Sequence, residues 1–263
     1  MDMKKIRTII DKEWAEVFQN KMVFFVVLFL PLFFTLLPLI MLWAMLSTGS
    51  TMTSDIPPEA LSMCAGNLTG SECLYLMIIS EIMMLFMMTP VIIPVTISAY
   101  SIVGEKTTHC LEPLLATPIT TMELILGKGL AAAIPAVVAT WGSFIVFLIG
   151  ARIIVQNDAF YQQLLSPMWL VAVLLVGPLM AFIAVIVTIM VSSRVNDPRA
   201  AEQISMLLIL PILGLFFSQI AGLVMLNLQL MLICALVLLI INIGLAWWGT
   251  KIFQRETILT QWK

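Results

Sequence analysis

Side chains able to do chemistry gather in one stretch of this 263-residue chain. Between Gly104 and Lys128 lie Glu105, Lys106, His109, Cys110, Glu112 and Glu123, and His109 is the only histidine in the sequence. A metal centre needs several His, Cys or carboxylate ligands at defined spacing, and a catalytic site needs a base beside a nucleophile. One histidine without such a constellation offers neither, so no catalytic residue and no metal site is expected. A phosphate-cradling loop needs Gly-x4-Gly-Lys-Ser/Thr. Here Gly127-Lys128 is followed by Gly129, and Met122 stands where the first glycine belongs. No cofactor is therefore expected in this chain. What the stretch does offer is a docking surface. Leu111, Leu114 and Leu115 follow the i, i+3, i+4 spacing of one helix face, and Thr117-Pro118 ends the turn.

The elements that hold this loop are membrane spans. Apolar residues make up 61% of the chain and charged residues 11%, with a mean hydropathy of +1.08. Soluble domains carry about 25% charged residues, so a soluble enzyme is excluded. A spanning helix needs about 20 apolar residues. Charge-free stretches long enough for this predict approximate spans at 22–46, 74–103, 129–151, 168–192, 204–226 and 229–250. The last two come from one 48-residue stretch, Gln203 to Thr250, broken by polar residues at Ser218-Gln219 and Asn227 to Gln229. Transmembrane strands alternate over about 9–11 residues. These runs are longer and apolar on every face, so the fold class is an all-α polytopic membrane protein with six transmembrane helices.

Charges independent of that count orient it. With the N-terminus inside, Lys4, Lys5, Arg7, Lys12, Lys21, Lys106, Lys128, Arg194, Arg199, Lys251, Arg255 and Lys263 all fall on the inner side, and Arg152 alone falls outside. Such asymmetry marks the cytoplasmic face and places both termini there. The first apolar run is too long for a signal-peptide core and no Ala-x-Ala site follows it, so it is expected to stay as a span.

Residues 1–20 precede the first span. Ile6, Ile9, Ile10, Trp14, Val17 and Phe18 fall on one half of a helical wheel, as in an interfacial amphipathic helix. Glu13 falls inside this apolar arc, which suits either a wet side chain or a protein partner. The first outer loop contains Cys64 and Cys73, candidates for a disulfide on the oxidising side, and the sequon Asn67-Leu68-Thr69. Cys110 and Cys234 read as ordinary small residues. Pro31, Pro38, Pro90, Pro94, Pro135, Pro178 and Pro211 each deprive a carbonyl of its helical donor. They suit helices bent for packing, and equally a pathway with movable gates.

Gly104-Glu105-Lys106-x4-Leu111-Glu112-Pro113-Leu114-Leu115-Ala116-Thr117-Pro118, followed by Glu123-Leu124-x-x-Gly127-Lys128, resembles the signature of ABC-2-type transporter permeases. The resemblance extends to the six spans, the N-terminal helix and the tail Phe253 to Leu259, so it covers 1–263 as one transmembrane domain. His109-Cys110 departs from the small residue and hydroxyl common at those places. The resemblance implies the membrane half of an ATP-binding cassette exporter in the cell membrane. Two permeases, copies or paralogues, would work with two ATPase subunits that bind ATP and magnesium. It also implies that 104–128 is a cytoplasmic coupling helix docking on the ATPase through Glu105, Lys106, Leu111, Glu112, Pro113, Leu114, Leu115, Thr117 and Pro118. Arg194, Asp197 and Arg199, in the second inner loop, are either a solvated turn or a second contact. Membrane lipid is the remaining partner, and no nucleic acid is expected. The competing class is an ion-coupled transporter or channel without an ATPase. It would place ionisable groups mid-membrane, where only Glu81, towards the outer end of its span, offers itself. The Met- and Phe-rich spans favour hydrophobic or drug-like cargo.

Overall fold

The computed structural model describes residues 3–48, 70–107, 121–155, 157–224 and 226–252, which are helical almost throughout, with no strand among them. Helix α1 (Met3–Gln19) turns at Asn20 into α2 (Lys21–Thr48). Helices α3 (Gly70–Phe86) and α4 (Thr89–Thr107) form one span broken at Met87-Met88. Helix α5 runs unbroken over Thr121–Ile154. Helices α6 (Asp158–Leu164) and α7 (Pro167–Val171) pass through a π-helical segment, Ala172–Val176, into α8 (Gly177–Ser192). Helix α9 (Pro198–Ser205) and a 3-10 turn (Met206–Ile209) continue into α10 (Leu210–Ile220), and α11 covers Leu228–Ile252.

Six of these stretches are long and apolar enough to cross a bilayer: Val23–Ser47, Glu72–Ser101, Glu123–Ile154, Asp158–Ser192, Pro198–Ile220 and Leu228–Trp248. In hydrocarbon every backbone donor and acceptor must be met internally, and helices meet that demand. The 48-residue charge-free stretch folds back where its polar residues lie. Gly222 adopts φ +70°, a left-handed conformation open to glycine, and the Asn227 side chain accepts from the Leu230 N–H at 2.7 Å to start α11. No helix intervenes between α10 and α11 among the described residues.

The apolar interior divides into separate clusters along the spans. One joins Leu42, Ile79, Met83, Phe86, Phe144, Phe147, Phe160 and Trp169. A second, towards the α1 end, joins Val17, Val23, Ile93, Ile97, Ala132, Ala133, Ala136, Ala181, Val185 and Ile189. The alanines there matter. Lipid offers no hydrophobic drive between helices, so close backbone approach over small residues supplies the packing. The most extensive pairing is α4 with α8, and α5 packs against α1, α2, α4 and α8. Three buried hydroxyls are satisfied on their own helices: Thr35, Thr140 and Thr188 each donate to the carbonyl four residues back, at 2.6–2.7 Å.

At the opposite end, Asn157 caps α6 and donates to Glu72 Oε1 at 2.6 Å, tying α6 to α3. Arg152 meets Asp158 at 2.6 Å and lies over the Tyr161 ring. Cys73 is buried near the start of α3 and disulfide-bonded. The expected partner Cys64 and the sequon at Asn67 lie outside the described residues. Cys234 is a free thiol.

Candidate functional site: the junction of α1, α4 and α5

Helix α1 lies along the first third of α5, and consecutive turns make three different contacts. Gly127 provides the closest approach. A Cβ there would stand 2.8 Å from Ile9 Cγ2, so any larger residue would push α1 off α5. One turn on, Lys128 Nζ donates to Glu13 Oε1 at 2.5 Å and to Ser101 Oγ at 3.0 Å, while Ser101 Oγ donates to Glu13 Oε2. Glu13 is 2% and Lys128 8% exposed. Ile6, Ile9 and Val17 are buried on the same face of α1.

The third contact explains a proline. Pro135 has no N–H to give the carbonyl four residues back, which is Ala131. Trp14 Nε1 donates to Ala131 O at 2.9 Å and satisfies it. A tryptophan that would otherwise sit at a lipid boundary is thus a specific donor. Pro90 is handled similarly: it orphans the Phe86 carbonyl, and the Thr89 hydroxyl donates to that oxygen at 2.9 Å.

Glu13, the carboxylate that breaks the apolar arc, therefore has a partner within its own chain. Its two ligands sit on the two helices that bracket 108–120: Ser101 six residues before the end of α4, and Lys128 seven after the start of α5. The junction ties α1 to both of those helices. Leu111, Glu112, Pro113, Leu114, Leu115, Thr117 and Pro118 lie outside the described residues. Glu105 and Lys106 belong to the last turn of α4. No group of three or more metal-binding side chains occurs among the described residues.

The segment from the end of α8 into α9 packs beside the same end of α4. Thr96 of α4 donates to Glu202 Oε1 of α9 at 2.7 Å, and Ala99 and Val103 pack against Ala201. Asp197 has a local task, capping α9 by accepting from the Arg199 N–H at 3.1 Å. Arg194, Asp197 and Arg199 are all exposed. Glu202 belongs to the same charged segment as Arg194, Asp197 and Arg199, whereas nothing in the sequence pattern marks Ser101 or Asn242 as a tie between helices. Asn242 Nδ2 donates to Leu179 O at 3.0 Å and to Leu238 O at 2.9 Å, fastening α11 to α8. The sequence shows an asparagine inside a charge-free span but not which helix it meets.

Six helices able to cross a membrane describe a transport architecture, and one comparison names it. The family model described as ABC-2 family transporter protein matches residues 7–248. The chain belongs to the ABC-2 transporter family. It is thus a permease, the multi-pass membrane component of an ABC transporter, and the family implies an ABC ATPase as partner. No curated protein and no solved structure matches it. A plasma-membrane location is in keeping with this family and with the six spans.

Proposed function

We propose that this permease is an exporter, moving a hydrophobic or drug-like substrate out of the cytoplasm or inner leaflet. The energy comes from two separate ATPase subunits that bind ATP and magnesium, acting on a pair of permeases, either two copies or a copy and a paralogue. The 104–128 loop, through Glu105, Lys106, Leu111, Glu112, Pro113, Leu114, Leu115, Thr117 and Pro118, receives the ATPase's motion. Arg194 and Arg199 form a smaller second contact on the same face, beside Asp197. The observation that carries this reading is the tie of Glu13 to Ser101 and Lys128, because it joins the first helix to both supports of the loop. Force applied at 108–120 then reaches α1, α4 and α5 together.

The test is ATP-dependent efflux. Inside-out vesicles holding the permease with its ATPase should accumulate a hydrophobic fluorescent dye on addition of ATP, and vanadate should stop it. Accumulation insensitive to vanadate but abolished by an ionophore would favour the ion-coupled alternative, and would direct attention to Glu81, which lies against Gln219.

The orientation that goes with this reading puts α1, the loop and both termini in the cytoplasm. Exposed Lys4 and Arg7 then face anionic headgroups of the inner leaflet. Single cysteines at Lys4, Thr120 and Thr260 are expected to resist a membrane-impermeant maleimide in intact cells and to react after permeabilisation. Labelling of any of them from outside would refute the orientation. The proposed Cys64–Cys73 bridge falls on the opposite, oxidising face.

A further inference from the structure

Halfway along the bundle, two spans lose regular α-helical geometry side by side. Span two breaks at Met87-Met88 before Pro90, and span four is π-helical over Ala172–Val176 before Pro178. The two breaks adjoin: a Cβ placed on Gly177 would lie 3.9 Å from Pro90 Cγ. They also coincide with the division of the core. Phe86, Phe144, Ala172 and Val173 belong to one cluster and Ile93, Ala136, Ala181 and Val185 to a second, while Met88, Val91 and Ala184 belong to a third beside the break.

The hydrogen bonds of the π segment leave one carbonyl to be met from outside. The Gly177 N–H bonds Ala172 O, an i to i+5 pairing. In that register the next carbonyl, Val173 O, should accept from residue 178, which is proline and has no N–H. Trp141 Nε1 of α5 donates to Val173 O at 3.1 Å instead. The residue before it, Thr140, brings its hydroxyl to 3.3 Å from Thr89, at the break of span two. Helix α5, unbroken here, thus meets both breaks with adjacent residues.

From this arrangement we infer that spans two and four bend together at a mid-membrane hinge, and that the indole of Trp141 locks it. The outer halves, α3 with α6–α7, move as one body, and the inner halves, α4 with α8, as another. Breaking the Trp141 bond orphans Val173 O and loosens the hinge. Restoring a backbone donor at 178 makes the indole dispensable, because an N–H there removes the register defect.

The test is amide hydrogen exchange, read by mass spectrometry on the full-length chain in lipid nanodiscs. Trp141→Phe keeps the ring and removes the donor. It should speed exchange across 169–177 by about tenfold, the scale expected when a buried acceptor loses its partner. Peptides over 128–136 should be unchanged. In a Pro178→Ala background the same substitution should add nothing. Exchange at 169–177 equal to the parent's, a rise spread evenly over all six spans, or the same rise with alanine at 178 would each overturn the hinge. Should Trp141→Phe alone not fold, recovery of Trp141→Phe/Pro178→Ala supports the lock, and loss of both variants overturns it.

Discussion

Glutamate in place of Leu111, Leu114 and Leu115 is expected to abolish recovery of the ATPase subunit with the permease. Fully burying a leucine is worth about 1.5–3 kcal/mol, so the three define most of a small interface. Losing even about 4 kcal/mol weakens binding roughly a thousandfold. Carboxylates facing an apolar groove would add a desolvation cost on top. The permease itself is expected to remain folded, so that loss of the ATPase is read as loss of docking. The measurement is the amount of ATPase that co-purifies with an affinity-tagged permease, with thermal stability followed in parallel. Undiminished recovery would show that the loop is not the docking element.

The second large effect belongs to the buried ion pair. Lys128→Ala leaves the Glu13 carboxylate at 2% exposure without its ammonium partner. Breaking one side of a buried pair costs about 3–5 kcal/mol, because the surviving charge cannot return to water. A clear drop in melting temperature is expected, with α1 released and Trp14 withdrawn from Ala131. Replacing both partners, Glu13→Leu with Lys128→Met, should recover most of the stability, since apolar pairs of similar volume often match buried ion pairs. Transport is expected to separate from stability in that double variant. Apolar contacts hold α1 in place but lack the directional bonds that join it to Ser101. A stable double variant with normal ATP-driven transport would show that the pair has a packing role alone.

The membrane class was legible in the sequence because hydrophobic length is a one-dimensional property. Six spans follow from where charges are missing, and the inner loop stands out by its Leu111, Leu114, Leu115 spacing. Pairing across the fold is different. Glu13 is visibly out of place on its helix, yet Lys128 is 115 positions away and no periodicity connects them. Proline arithmetic names the orphaned carbonyls at Ala131 and Phe86, but only the packed structure identifies Trp14 and Thr89 as their donors. The breaks at Met87-Met88 and Ala172–Val176 were equally hidden. Their residues are ordinary apolar ones, and the distortion arises from the prolines that follow.

The Trp14–Ala131 bond has a consequence for biogenesis. Helix α1 is made first, but its acceptor is synthesised 117 residues later. Once the third span is inserted, its Ala131 carbonyl stays unmet until α1 docks, at a cost of several kcal/mol in hydrocarbon. The nascent first helix therefore has to be held at the membrane surface and then captured. A chain that fails this step exposes a bent, unsatisfied span alongside the unpaired charges of Glu13 and Lys128. Those are features by which a membrane protease or chaperone can tell an unfinished permease from a finished one.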